Sequence, residues 1–229
     1  MENSHIVSRH DKNLGRIISG ILDMGDLVIS QLSQATDALD NFEADTVDQL
    51  IATDRTINGM YKDIYTRAER LIALRQPMAL DLRQALTPIN IASNLERIGD
   101  HAKSTAKRAR LLGGQTPDPA LLAVVHQMSS TVQAMLSDVL RAYDDSDTDL
   151  AADIRARDLE VDQLNKDVFA TAVAAIEKAP DRAETYIHII LLARGFERVG
   201  DHVVNIARDV HQIVTGEDLK AADSINDKR

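Results

Sequence analysis

The feature that most constrains this chain is an eight-residue segment written twice. Asn94-Leu95-Glu96-Arg97-Ile98-Gly99-Asp100-His101 returns as Gly195-Phe196-Glu197-Arg198-Val199-Gly200-Asp201-His202. Glu, Arg, Gly, Asp and His are identical between the copies, Val199 answers Ile98, and a single spacing of 101 residues relates every matched pair. A self-match at fixed period marks an internal duplication, so a fold proposed for one half must also serve the other. Each copy sets a Glu and an Asp four residues apart, which on a helix places both on one face, a turn from each other.

The rest of the chain reads as helix. It has 229 residues, only 10 Gly and 5 Pro, and 3% aromatics, a composition poor in the runs that make strands. Apolar residues recur at spacings of three and four in six segments. The first runs from about Arg9, after a frayed start over residues 1–8, and closes near Phe42. The second opens at Asp45 or Thr46 and runs to Leu74. Pro77 ends it or opens the third, which reaches about Leu112. Gly113 to Pro119, with two Gly followed by two Pro, is the clearest break. The fourth helix spans about Pro119 to Tyr143. Asp144 to Asp149 reads as a loop and cap, because it lacks the mid-loop Gly and closing Glu of a calcium loop. The fifth runs from about Asp149 to Lys178, where Pro180 breaks it, and the sixth ends near Val214 with Gly216 as a left-handed cap. The expected fold is all-α: six long helices in two tandem homologous three-helix bundles, residues 1–114 and 115–216, followed by a mobile polar tail over 217–229.

The same composition excludes several classes. A net charge of −10 and a pI near 5.1, with no basic stripe, argue against a nucleic-acid partner. With no cysteine, disulfides and thiolate metal sites are impossible. Polar residues interrupt every apolar stretch and the N-terminus has no apolar signal core, so a soluble intracellular protein without a membrane span is expected.

The acids point to chemistry. Two antiparallel helices joined by a short turn bring residues equidistant from the apex to one level. Taking Pro77 as the first apex, the mirror of Glu96 and Asp100 is Asp54 and Asn58. Taking Pro180 as the second, the mirror of Glu197 and Asp201 is Asp158 and Asp162. Three of these four pairs are fully carboxylate, and the Asn58 carbonyl could still ligate a hard cation. Like charges facing each other are unfavourable unless something positive sits between them. Oxygen-only donor sets suit magnesium, manganese, calcium or iron rather than thiolate-seeking metals; zinc also stays among the candidate ions. The candidate metal residues are therefore Glu197, Asp201, Asp158 and Asp162, and Glu96, Asp100, Asp54 and Asn58. His101 and His202 join them only if the ion lies at the edge of the helix face. Against this stands the plain alternative of a solvated acidic face, with Arg97 and Arg198 pairing to nearby acids. Gly99 and Gly200 each cost a helix about 1 kcal/mol relative to Ala, which suggests close approach of a backbone or a ligand there.

At these residues the chain resembles the PhoU family of phosphate-signalling proteins. The paired Glu-Arg-(Ile/Val)-Gly-Asp-His segments, Arg75 to Arg83, Asn205-Ile206-Ala207 and Val214 to Asp218 all carry the likeness, which extends from about His5 to Asp218. The resemblance implies two three-helix bundles side by side, metal clusters on the acidic motifs, and a dimer or higher oligomer. It also implies a cytoplasmic negative regulator of the phosphate-starvation response, connecting a phosphate-uptake ABC transporter to a membrane sensor histidine kinase. The chain departs from the pattern at Ser104-Thr105, where Asn-Ile is expected, and at Asn58, where an acid could stand. Both departures weaken the first site.

Two other classes compete. A metal-free helical scaffold would need only the packing. A carboxylate-bridged metal enzyme would want Glu-x-x-His pairs inside the bundle, and the one such spacing is Glu2 to His5, in the expected frayed start. No phosphate-cradling Gly-rich loop or nucleophile constellation is present, so the expectation is a regulator and not an enzyme.

Overall fold

The structure, a computed structural model, describes residues 2–75, 80–113 and 118–217. Six long helices follow one another: α1 (Glu2–Asp37), α2 (Ala44–Arg75), α3 (Leu80–Leu112), α4 (Pro119–Asp145), α5 (Thr148–Lys178) and α6 (Ala183–Thr215). A single 3-10 turn, Pro180–Arg182, joins α5 to α6. No strand occurs among the described residues. The helix α1 begins earlier than the expected Arg9, since Glu2 to Ser8 hold no Gly or Pro to stop it. Pro77, residues 114–117 of the inter-repeat break, and the expected tail from residue 218 onward lie outside the described residues.

The helix ends follow from local chemistry. Asp118 accepts a hydrogen bond from the Ala120 N–H at 2.9 Å and Pro119 fills the first turn of α4, where its missing N–H costs nothing. Asp147 accepts from the Asp149 and Leu150 N–H groups, both at 3.0 Å, so the Asp-rich loop is a helix cap. Gly216 adopts φ +79° and returns its N–H to the Gln212 carbonyl at 2.9 Å, closing α6.

Each repeat packs its three helices against one another, and the two bundles meet along α3–α6 and α1–α4. The buried side chains form one continuous core. Ile17, Ile21, Met24, Val28 and Leu32 supply it from α1, and Ile189, Leu192, Phe196, Val199 and Val203 from α6, at helical spacing. Small residues let the bundles approach. A methyl group on Gly25 of α1 would overlap the Leu140 side chain of α4, and Thr36 shares a buried 2.8 Å hydrogen bond with Ser129 of α4.

Duplicated helices can meet in many ways, and one contact fixes which. His101 and His202, the same position in the two copies, face each other with ring centroids 5.9 Å apart. The other contacts are reciprocal, as a two-fold requires: Gly25 meets Leu140, the counterpart of Leu39, and Asp40 meets His126, the counterpart of Gly25. The repeats are therefore related by an approximate two-fold passing between α3 and α6, and the acidic motifs lie one on each side of it.

Candidate functional site: two acidic motifs that are not equivalent

The repeated glycines give the register inside each hairpin. A Cβ on Gly99 would lie 3.0 Å from Ile57 Cδ1 of α2 and 3.6 Å from Gln31 Oε1 of α1. A Cβ on Gly200 would overlap Asp158 Oδ1 of α5 and stand 4.0 Å from Val132 of α4. Ile57 and Asp158, like Gln31 and Val132, are 101 residues apart. The duplication thus holds through all three helices of each repeat, and the counterpart of Asp158 is Ile57.

The facing pairs that equidistance expects are therefore not counterparts of each other in the two repeats. Mirroring about Pro77 and Pro180 pairs Asp54 with Asp158 and Asn58 with Asp162, which are 104 residues apart, not 101. In the repeat register, Asp54 corresponds to Arg155, Asn58 to Leu159, and Tyr61 to Asp162. The glycine contacts centre the first hairpin on residue 78 and the second on residue 179. Each centre lies within a residue of its proline, and on opposite sides, so small displacements in opposite senses add to about one helical turn.

The second motif gathers its acids around a cleft that Arg155 also lines. Asp158 rests over Gly200, where burial pushes its carboxyl up to about 6, with Asp162, Asp201 and Glu197 adding repulsion and Arg155 opposing it. Glu197 is also raised, first by burial. Its side chain is only 13% exposed, and Oε2 is buried with no hydrogen bond, Arg198 Nε standing 3.7 Å away. Arg194 meets Oε1 at 2.7 Å and Arg198 comes within 3.6 Å of Asp201. Both guanidiniums are about half exposed (50% and 51%), so they screen the rim rather than fill the centre. Asp158, Asp162 and Asp201 line a cleft of about 380 Å³ together with three guanidiniums, those of Arg155, Arg198 and Arg208, and with His202.

The first motif is built differently. Glu96 is raised by burial and by Asp100, and Arg97 stands 3.6 Å from it at the rim. Lys103 of α3 reaches back to the acids: Nζ lies 2.8 Å from Asp54 Oδ2 and 3.6 Å from Asp100 Oδ1. The hydrogen bond to Asp54 raises the ammonium above the usual lysine range. Asn58 turns its amide nitrogen to the same Asp54 oxygen at 3.2 Å, so its donor end faces the acid. Lys103 escaped the sequence reading. Aligning the two copies beyond the octapeptide would have found it, because its counterpart is Val204.

The histidines belong to neither site's centre. Each is lowered from the usual imidazole range, chiefly by burial, and His202 hydrogen-bonds Asn94 of α3 through Nδ1 at 3.0 Å. They join the bundles. Among the described residues, no three Asp, Glu or His side chains gather closely enough around one point to hold an ion as placed. Repulsion spreads the carboxylates, and an ion would have to draw them in. The second motif offers a hard cation oxygen donors alone, an orphaned Glu197 oxygen and the cradle left by Gly200, with Arg155, Arg198 and Arg208 standing in the same cleft. The first fits less well, since Ile57 stands at the place of Asp158, Tyr61 at that of Asp162, and Asp54 is already paired to the Lys103 ammonium.

Two three-helix bundles related by a two-fold, each with an acidic face beside that axis, define a duplicated helical bundle protein. The family described as "PhoU domain" matches residues 21–109 and 125–210, once in each repeat. The chain belongs to the PhoU family. A Caulobacter vibrioides protein named "Phosphate-specific transport system accessory protein PhoU homolog" is 35% identical over 215 residues, covering 94% of each chain. A Pseudomonas aeruginosa protein of the same name is 33% identical over 216 residues, 94% of this chain and 89% of that one. The crystal structure of PhoU from Pseudomonas aeruginosa superposes with a TM-score of 0.86 at 33% identity, over 90% of this chain and 99% of that one. The phosphate transport system regulatory protein PhoU from Streptococcus pneumoniae gives 0.80 at 27% identity, over 93% and 100%. The family is one of regulatory accessory proteins and not of enzymes. No helix among the described residues is long and apolar enough to cross a membrane.

Proposed function

We propose that this chain is an accessory regulator of phosphate transport, a cytoplasmic adaptor between a phosphate-uptake ABC transporter and a sensor histidine kinase. In this reading it restrains the phosphate-starvation response when phosphate is plentiful, and it works as a dimer or higher oligomer. One observation carries the reading: both repeats match the PhoU family, and relatives named as phosphate transport accessory proteins are covered nearly end to end. A deletion strain grown in abundant phosphate tests it. Starvation genes should rise, and they should fall again when the intact gene is restored. Continued silence of those genes would remove the regulatory role.

The second acidic motif is read as a site for a divalent or trivalent hard cation held by Asp158, Asp162, Glu197 and Asp201. Support comes from the buried Glu197 oxygen without a hydrogen bond and from the three acids lining one cleft. Iron, manganese and magnesium all suit the donors. An ion there would neutralise acids that now repel, and would stabilise the folded chain by mass action. Manganese titration followed by thermal unfolding tests it: the melting temperature should climb with added ion. A metal-free scaffold is the competing reading, and an unchanged melting temperature would favour it.

A further inference from the structure

We propose that the cleft between α1 and α2 of the first bundle binds a small anion carrying at least two phosphate groups, held between Arg16 and Arg70. Neither acidic motif takes part, nor does an ion on them, and the site stands whether or not the regulatory role above holds.

The cleft has a volume of about 780 Å³, about twice that of the cleft beside the second acidic motif. It opens where α1 carries little bulk. Gly15, Ser19 and Gly20 border the groove that continues it, and a Cβ on Gly15 would meet nothing within 4 Å. Arg16 lines it from α1, and Arg67 and Arg70 line it from α2. Asp63, a turn before Arg67, pairs with that guanidinium at 2.6 Å. Arg16 and Arg70 have neither an ion pair nor a hydrogen bond among the described residues. In a chain of net charge −10, two guanidiniums without a counter-charge on one cleft reverse the local field.

Guanidiniums bind phosphate oxygens through paired, coplanar N–H donors. Arg16 and Arg70 stand on different helices, so a diphosphate gives each its own phosphate and removes their mutual repulsion. Asn13, half-buried on the α1 wall, adds a neutral amide. Leu71, which is buried, and Leu74, which is 79% exposed, make the remaining wall apolar, and an apolar wall strengthens the charge contacts beside it. Packing of the bundle does not call for these cations, because the second repeat folds without them. Arg16 answers there to Pro117, ahead of α4, Arg67 to Val168 and Arg70 to Thr171.

The test uses the full chain with Glu197→Gln and Asp201→Asn, in buffer with EDTA, so that no metal-held anion contributes. Calorimetric titration with pyrophosphate should show saturable binding that weakens as salt is raised. Orthophosphate should bind at least about tenfold more weakly, since it engages one guanidinium. Arg16→Gln and Arg70→Gln should each weaken pyrophosphate binding about tenfold, with helix content by circular dichroism unchanged. Arg55→Gln, on α2 away from the cleft, should leave it as it was. ATP binding as tightly as pyrophosphate would assign recognition to the phosphates alone, and tighter ATP binding would add a nucleoside at the Leu74 end; both keep the site. Absence of saturable pyrophosphate binding at about 0.1 M salt, or an equal loss with Arg55→Gln, would overturn the proposal. So would binding of vesicles of anionic lipid without binding of pyrophosphate, which would give the cleft to a membrane surface.

Discussion

Gly200 and Asp158 meet so closely that a methyl group on the glycine would overlap the aspartate's Oδ1. Glycine is here a requirement of the neighbour and not of the backbone, which is ordinary helix. Gly200→Ala should therefore do two opposing things. Helix propensity gains about 1 kcal/mol, while the Asp158 carboxylate is pushed off its cradle. The expected result is a small net change in stability with a clear loss of manganese response, read by titration during thermal unfolding. Gly99→Ala presses on Ile57 instead and should leave the manganese response intact.

The acids set an unusual pH dependence. Burial pushes Asp209 up to about 6, with a hydrogen bond from Asn90 opposing it. A carboxyl raised on folding binds its proton more tightly in the native state, so its contribution to stability grows as pH falls from about 7 toward 4 and is lost as pH rises through 6. Asp158 acts in the same direction. His101 and His202, lowered on folding, act in the opposite direction as pH falls below the usual imidazole range. Asp209→Asn isolates one contribution: it should stabilise the protein at pH 7 and do so less at pH 5, as measured by urea unfolding at both. Equal effects at the two values would mean Asp209 does not titrate there.

Phe196 sits inside the second motif's octapeptide but is 1% exposed and among the largest fully buried side chains. Phe196→Ala should destabilise by about 3–5 kcal/mol through lost burial and the cavity left behind. Its counterpart Leu95, also fully buried, should cost about 2–5 kcal/mol on the same change. Chemical denaturation measures both. A much smaller loss at Phe196 would mean that the core beside the motif collapses readily.

Asn94 Oδ1 accepts a side-chain hydrogen bond across the two bundles from His202 Nδ1 at 3.0 Å. Asn94→Ala should cost about 0.5–1.5 kcal/mol, with no change in helix content by circular dichroism. Because the bond spans α3 and α6, amide exchange should speed first along that interface.

The sequence by itself determined a good deal. Apolar spacing marked six helices, Asp and Gly residues marked their ends, and the repeated octapeptide marked the duplication. The acids of each octapeptide had to share a face, since four-residue spacing allows nothing else on a helix. What the octapeptides faced was decided only in three dimensions. Counting outward from Pro77 and Pro180 treats each proline as the midpoint of its hairpin. The midpoint is in fact fixed by which side chain seats against the repeated glycine. In the first repeat that is Ile57, 1% exposed, whose burial is worth about 1.5–3 kcal/mol. In the second it is Asp158. A displacement of a residue or so at each apex, in opposite directions, is enough to move Asp54 a turn away from the place of Asp158 and into the reach of Lys103. The pairing of His101 with His202 has the same origin: sequence shows that the two are copies, but only the packing of α3 on α6 puts a two-fold axis between them.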